Sequence, residues 1–273
     1  MSPVHPRRIA ALMLALSLGA AAVGLGAAPA AAEEPPTPAP TACAQPEGNA
    51  RFVRFIYLQI LHRCPEPAAL AYFTKRLDAG LTRFNFTETI DMSNENLGAN
   101  NVIPLYQDIL GRAPTDAELA AGKAFIRAHH QDGGLIAKLI SSDEAYATIQ
   151  GPTKAARDRA WLEQAYQGIV EAAPTPAEVA KWTALFGAGS TVSKRTYVAN
   201  VLEESPPNAT SWTFGVYGAG LNRGASPDEL AFWARWLNGR GHWQTFRMWT
   251  NVLSSHEAYE LAQTQPAIAD PEH

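Results

Sequence analysis

The chain holds only two cysteines, Cys43 and Cys64, in 273 residues. Two thiols cannot form a disulfide framework or a four-cysteine zinc site. No segment alternates apolar and polar residues over strand length between turn signals, so little or no sheet is expected. Beyond residue 32 no apolar run is long enough to span a bilayer. Neither sign of charge dominates: Lys and Arg number 22, Asp and Glu 26, and the formal net charge is −4. Such a balance supplies no basic face for nucleic-acid phosphates or anionic lipid. The motifs His-Glu-x-x-His and Gly-x-Ser-x-Gly are both missing. The nearest metal-like cluster, His129, His130 and Asp132, puts its two histidines about 100° apart on a helix, so it reads as a solvated helix end. No catalytic, cofactor-binding or metal-ligating residue is assigned, and the chain is not expected to be an enzyme.

Residues 1–32 read as an export signal. Arg7 and Arg8 precede an uncharged apolar run from Ile9 to Leu25, and Ala30, Ala31 and Ala32 form a small-residue cleavage site. The mature chain is therefore expected to start at Glu33 and to be secreted or extracytoplasmic, with no membrane span of its own. Residues 33–48 form a proline-rich extended tail. In an oxidising compartment Cys43 and Cys64 are expected to bond. The bond would close a loop of about 20 residues, worth roughly 3 kcal/mol if its effect is on chain entropy.

What the sequence does hold is a repeated pattern. Tyr57, Tyr106, Tyr166 and Tyr217 each lie in an apolar helical stretch, 49, 60 and 51 residues apart. Six residues on come Arg63, Arg112, Ala172 and Arg223. Three capping-box sequences then stand in one register, at Thr115 with Glu118, Thr175 with Glu178 and Ser226 with Glu229. The first copy keeps a proline, Pro67, but has Glu66 and Ala69 in place of the box. The second helix, opening here, buries Leu77 in the first copy, Trp182 and Phe186 in the third, and Trp233 and Leu237 in the fourth, and glycines follow it. A third helix ends in a polar stop containing Glu95, Glu144 or Glu257. Self-similarity at this period implies a tandem array. The fold is expected to be all-α, with four three-helix repeats at 49–100, 101–152, 153–208 and 209–264 and a C-terminal tail at 265–273. The extra length around Gln150 to Thr153 marks a candidate break between two repeat pairs.

These residues carry a resemblance. The segments Tyr57 to Arg63, Tyr106 to Arg112 and Tyr217 to Arg223, with Tyr72-Phe73 and Phe232-Trp233, resemble a bacterial repeat family called domain of unknown function 4214, a helical module related to phycobilisome linker domains. The resemblance covers residues 50 to 262. The third copy departs from it, with Glu171 and Ala172 where the arginine stands elsewhere. The resemblance implies a helical, often exported module and no known activity.

Two expectations concern sites. Arg63, Arg112 and Arg223 are expected to pair with Glu95, Glu144 and Glu257, because a structural role would recur with the repeat and a catalytic one would not. The fourth copy has surplus aromatics, and Phe232, Trp236, Trp243 and Phe246 form a candidate partner surface. The expected function is interaction at the cell envelope or in the medium. The partner would be a protein or an envelope glycan, in the second case with the chain as an accessory glycan- or peptidoglycan-binding module.

Overall fold

The computed structural model describes residues 46–238 and 244–265, and all regular structure there is helical. Residues 1–32, expected to be an export signal, lie outside the described residues, as do Cys43 and Trp243. The elements are α1 (Gly48–Ile60), α2 (Pro67–Asp78), α3 (Arg83–Asp91), a π-helix π1 (Asn96–Val102), α4 (Ile103–Leu110), α5 (Asp116–His129), α6 (Gly133–Ile140) and α7 (Asp143–Ala147). They continue with α8 (Lys154–Ile169), α9 (Pro176–Phe186), α10 (Val192–Glu203), α11 (Pro206–Leu221), α12 (Pro227–Asn238), α13 (Thr245–Leu253) and α14 (His256–Thr264).

The helix starts follow from their caps. Thr115 Oγ1 accepts from the Glu118 amide at 3.3 Å, and Glu118 Oε2 accepts from the Thr115 amide at 2.8 Å. The Thr175–Glu178 and Ser226–Glu229 pairs do the same. Each pair satisfies two amides that a helix start leaves without intrahelical partners. The serines of the polar stops turn out to be starts as well. Ser142 caps α7 through the Ala145 amide at 3.0 Å, and Ser255 caps α14 through the Ala258 amide at 3.1 Å.

The tyrosine helices α1, α4, α8 and α11 share one exit. Five residues after each tyrosine the backbone turns left-handed: His62 at φ 58°, Gly111 at 69°, Glu171 at 58° and Asn222 at 55°. This conformation costs a non-glycine residue about 1–2 kcal/mol, and asparagine tolerates it better than most. Upstream of α4 the helix is widened into π1. Asparagine amides stitch this stretch: Asn101 donates to the Asn96 carbonyl at 2.8 Å, and Asn100 to the Ile60 carbonyl at 2.9 Å.

Two cores form. One joins α1, α2 and α3 to α11, α12, α13 and α14, around Phe52, Phe86, Trp212, Met248 and Leu253. The other joins π1 and α4 to α10, around Leu97, Ile136, Trp161, Trp182 and Val198. This corrects the expected break at 150–153. Helices from either side of that linker, α6 and α10, pack together, and α3 packs on α13 despite their wide separation in sequence. The reason lies in the apolar faces. Leu135, Ile136 and Leu139 of α6 meet Val198, Ala199 and Leu202 of α10 in one core. Phe86 and Ile90 of α3 meet Met248, Trp249 and Val252 of α13 in the other. Linker length measures slack and does not choose a partner.

The halves are joined along α13. The Phe246 amide donates to the His130 carbonyl at 3.0 Å, and its ring enters the second core. Thr250 Oγ1 donates to buried Asp91 at 3.0 Å. Burial, opposed by the bonds from Thr250 and Asn96, raises the Asp91 pKa to about 8, and the nearby Glu88 and Asp132 add to the rise.

Candidate functional site

The recurring arginines sit where the spacing placed them. Arg63 donates to Glu95 through Nε at 2.5 Å and Nη2 at 2.8 Å. Arg112 reaches Glu144 at 2.6 and 2.9 Å, and Arg223 reaches Glu257 at 2.5 and 2.8 Å. A second carboxylate closes each guanidinium from the other side. It is Glu66 at 2.9 Å, Glu118 at 2.9 Å and Glu229 at 2.7 Å. The two latter are the capping-box glutamates. Beneath lies the tyrosine, with guanidinium carbons 5.4, 5.4 and 4.9 Å from the rings of Tyr57, Tyr106 and Tyr217. Each clasp thus ties a tyrosine helix, the next helix start and a later one, bidentately at every carboxylate except Glu66. The arginine pairing, with its other bonds, holds Glu118 and Glu229 down to about 2. Such groups are engaged in structure and are not poised for proton transfer at neutral pH.

The segment that lacks the arginine is built differently. Tyr166 accepts from Trp182 Nε1 at 2.9 Å. Nearby, Asp158 is 3% exposed and accepts from the Ser190 amide at 2.9 Å, from the Ser190 hydroxyl and from Tyr146 at 2.7 Å. Burial works to raise its pKa, but these bonds outweigh it and leave the group below the usual carboxylate range. Arg195, 2% exposed, donates to the Ser141 carbonyl at 3.0 Å, Ser190 Oγ at 3.2 Å and Asp143 at 2.7 Å, and lies 4.2 Å over the Tyr146 ring.

Of the four aromatics predicted to form a surface, one is buried, one is half-buried, one is exposed and one lies outside the described residues. Phe246 is 5% exposed and belongs to the second core, which corrects its assignment. Its place near the start of α13, beside His130, turns it into the second core, which helix spacing on α13 alone does not show. Trp236 is half-buried against Trp233, with ring centroids 5.3 Å apart. Phe232 is exposed and edges onto Trp233 at 5.0 Å. Trp243 lies outside the described residues. Cys64 is half-buried in the loop after α1, its expected partner Cys43 lies outside, and no free thiol stands among the described residues.

Sequence reasoning missed a cleft. It has a volume of about 490 Å³ and lies between the α5–α6 turn and α10, with Thr245 of α13 at one side. This is the size range of small-molecule sites. Phe125 and His129 stack along one wall at 4.3 Å, and the exposed Tyr197 stands on the α10 side. Gln131, Asn200, Glu203 and Glu204 supply amides and carboxylates. The floor is bare backbone for a steric reason. A Cβ on Gly133 would lie 2.9 Å from Glu203 Oε2, and one on Gly134 would lie 2.6 Å from the Phe125 ring. Asn208 holds Glu203 from behind, donating to its carbonyl at 2.7 Å and its carboxylate at 3.3 Å. The available signal was the Gly133-Gly134 pair, which reads in sequence as a helix break and here opens α6. Among the described residues no group of His, Cys, Asp and Glu has metal-site geometry, and His129 uses Nδ1 on the Phe125 carbonyl at 2.8 Å.

An all-helical architecture with arginine clasps is the class these observations define. Residues 42–100 match the model of a family described as Domain of unknown function (DUF4214). The match covers the first clasp, with Tyr57, Arg63 and Glu95. No curated protein and no solved structure matches the chain.

Proposed function

We propose that the chain is an exported, non-enzymatic binding protein of the cell envelope or medium, and that it takes a glycan in the cleft between α5, α6 and α10. Its four three-helix repeats, at 49–100, 101–152, 153–208 and 209–264, are the scaffold. The shared left-handed exits and the recurring clasps support this division. The observation that carries the ligand reading is the composition of the cleft. Aromatic faces at Tyr197 and Phe125–His129 stand beside amides and carboxylates, the combination that stacks on a sugar ring and binds its hydroxyls. The Cys43–Cys64 bond belongs to the same exported reading. Alkylation of unreduced protein followed by mass spectrometry would show two modified cysteines if that bond is absent.

A protein partner is the second reading. It is favoured by Tyr72 and Phe232, 54% and 51% exposed, which precede the inward Phe73 and Trp233 at like places on α2 and α12. Calorimetric titration of the mature chain with soluble peptidoglycan fragments separates the two. Tyr197→Ala should weaken glycan binding at least tenfold, about 1.4 kcal/mol or more, and leave the melting curve unchanged. No glycan binding, with envelope protein capture lost on Phe232→Ala, would replace the first reading by the second.

A further inference from the structure

The cleft at α10 has a closed counterpart in the other half of the chain. The register that sets Ser141 against Ser254 puts Gly133 and Gly134 opposite Phe246 and Arg247. The register that sets Arg195 against Arg83 puts Tyr197 opposite Asn85 and Glu203 opposite Asp91. Asn96 holds Asp91 as Asn208 holds Glu203, donating to the carbonyl at 2.7 Å and to the carboxylate at 3.1 Å. From there the two acids differ. Asp91 takes the Thr250 hydroxyl of α13 at 3.0 Å, whereas the matching residue of α6 is Ala137, whose side chain has no donor. Asp91 is shut into the seam between α3 and α13, while Glu203 lines a cleft of about 490 Å³. The exposed ring of Tyr197 stands where the other half has Asn85, so a helix pair of this kind packs without it.

The lining narrows the ligand. Among the described residues around the cleft the acids are Glu203 and Glu204, the one other ionisable group apart from Tyr197 is His129, and there is no lysine or arginine. A carboxylate offers about four acceptor positions, so a bond it already makes, such as that from Asn208, does not close it to a further donor. The same lining presents the faces of Tyr197 and of Phe125 with His129, and an aromatic face attracts a cation. We propose that the cleft selects a ligand with a protonated amine, and that the sugar it takes is an amino sugar whose nitrogen is free rather than acetylated. The ammonium binds at the carboxylates of Glu203 and Glu204, and the sugar ring lies on Tyr197. The choice of a sugar rests on the glycan reading; the choice of a cation does not.

The test is an NMR titration of the nitrogen-15-labelled mature chain at slightly acid pH, where free sugar amines are protonated, read at the Gly133 and Gly134 amides. The probes are glucosamine oligomers, N-acetylglucosamine oligomers and n-butylammonium chloride, with sodium chloride keeping the ionic strength equal. Glucosamine oligomers should bind about tenfold more tightly than the acetylated ones, the size of one charge-assisted bond. Glu203→Gln keeps the shape of the side chain and should cut that preference severalfold. If Glu203→Gln does not fold, Glu204→Gln, at an exposed position, carries the test with the same expectation. Equal affinities, or tighter binding of the acetylated oligomers, would overturn the cation and leave the glycan reading standing. Shifts with butylammonium and with neither sugar would keep the cation and end the glycan reading. No shift with any probe would overturn both. A preference for the free amine that survives both substitutions would overturn the assignment to these carboxylates.

Discussion

The core that joins α1, α2 and α3 to α11–α14 carries two arginine clasps, at Arg63 and Arg223, while the core from π1 to α10 carries one, at Arg112. In the second core the third tyrosine, Tyr166, has no arginine above it, and a buried network of Asp158, Ser190, Tyr146 and Arg195 stands nearby. The first core has a thinner version of that network. Arg83 stands eight residues before Asp91, as Arg195 stands eight before Glu203. It is half-buried, lies 4.7 Å over the Tyr259 ring and reaches the Ser254 carbonyl at only 3.4 Å. The same cross-helix contact, arginine over tyrosine and onto a helix-end carbonyl, is thus made weakly in one half and deeply in the other. Exposed clasps and buried networks are alternative ways to fix neighbouring helices, and they differ in how much their loss should cost.

Replacing the two arginines tests this most directly. Arg195→Ala leaves Asp158 without part of its surroundings and orphans the Ser141 carbonyl, so about 3–5 kcal/mol of stability should be lost. Arg83→Ala should cost about 1 kcal/mol, the usual size of a partly exposed interaction. Urea unfolding of both variants measures the gap. Equal losses would mean that the depth of burial in the second core has no energetic consequence.

A second difference is in pH response. Asp91 is buried at the end of α3, next to Ile90 of the first core, and faces Thr250, Asn96, Glu88 and Asp132. Its folded pKa of about 8 lies above the ordinary 3.8. The folded state therefore keeps a proton that the unfolded chain releases, and stability must fall as pH rises from about 4 to about 8. The stabilising contribution is complete below the lower value and gone above the upper one. Asp91→Asn retains a hydrogen-bonding side chain and has nothing to titrate, so melting temperatures across that range should decline less than in the wild type. Parallel declines would assign the pH dependence to other groups.

The clasps should matter less than either. Arg223→Gln removes two bidentate contacts, but its side chain and that of Glu257 are 37% and 49% exposed. Water and salt screen such a pair, so the loss should be about 1 kcal/mol or less and should shrink further at high salt. The pairing also holds Glu229 near 2. The part of the clasp's stability that rests on Glu229 is present above its ordinary pKa of 4.5 and disappears as pH falls through about 2. A loss of several kcal/mol, insensitive to salt, would make the clasp part of the core.

How far the sequence reveals this molecule depends on whether a feature is local. Capping boxes are local: the hydroxyl, the carboxylate and the amides they satisfy lie within four residues, so Thr115, Thr175 and Ser226 could be read directly. The clasps were legible because Arg63, Arg112 and Arg223 recur with Glu95, Glu144 and Glu257 at nearly fixed spacing. The pairing of α3 with α13 was not, because each helix shows only its own apolar face and any similar face could meet it. Phe246 was misplaced for the same reason. The left-handed exits escaped notice because only Gly111 and Asn222 are residue types that announce that backbone, whereas His62 and Glu171 are not. The cleft was hidden because Phe125, Tyr197 and Glu203 come from helices whose relative placement the periodicity leaves open.

The smallest effect concerns rebuilding the missing clasp. Ala172 occupies the arginine place after Tyr166 and is exposed. One acid is already waiting. Glu178 accepts from the Thr175 amide at 2.7 Å, as Glu118 and Glu229 accept at their own caps. The second acid is absent: Glu95 stands four residues after Asp91, and the residue four after Glu203 is Pro207, exposed in the first turn of α11. Ala172→Arg should therefore gain only the Glu178 contact, a few tenths of a kcal/mol in so exposed a pair. Adding Pro207→Glu supplies the other carboxylate and places an acid at a helix N-terminus, where it is favoured by about 0.3–1 kcal/mol in its own right. The coupling between the two changes, measured by a double-mutant cycle of urea unfolding, should be favourable by about 0.5 kcal/mol. Zero coupling would show that the third segment holds its helices at a different angle from the other three, so that Ala172 is a consequence of the Arg195 network and not a gap it covers.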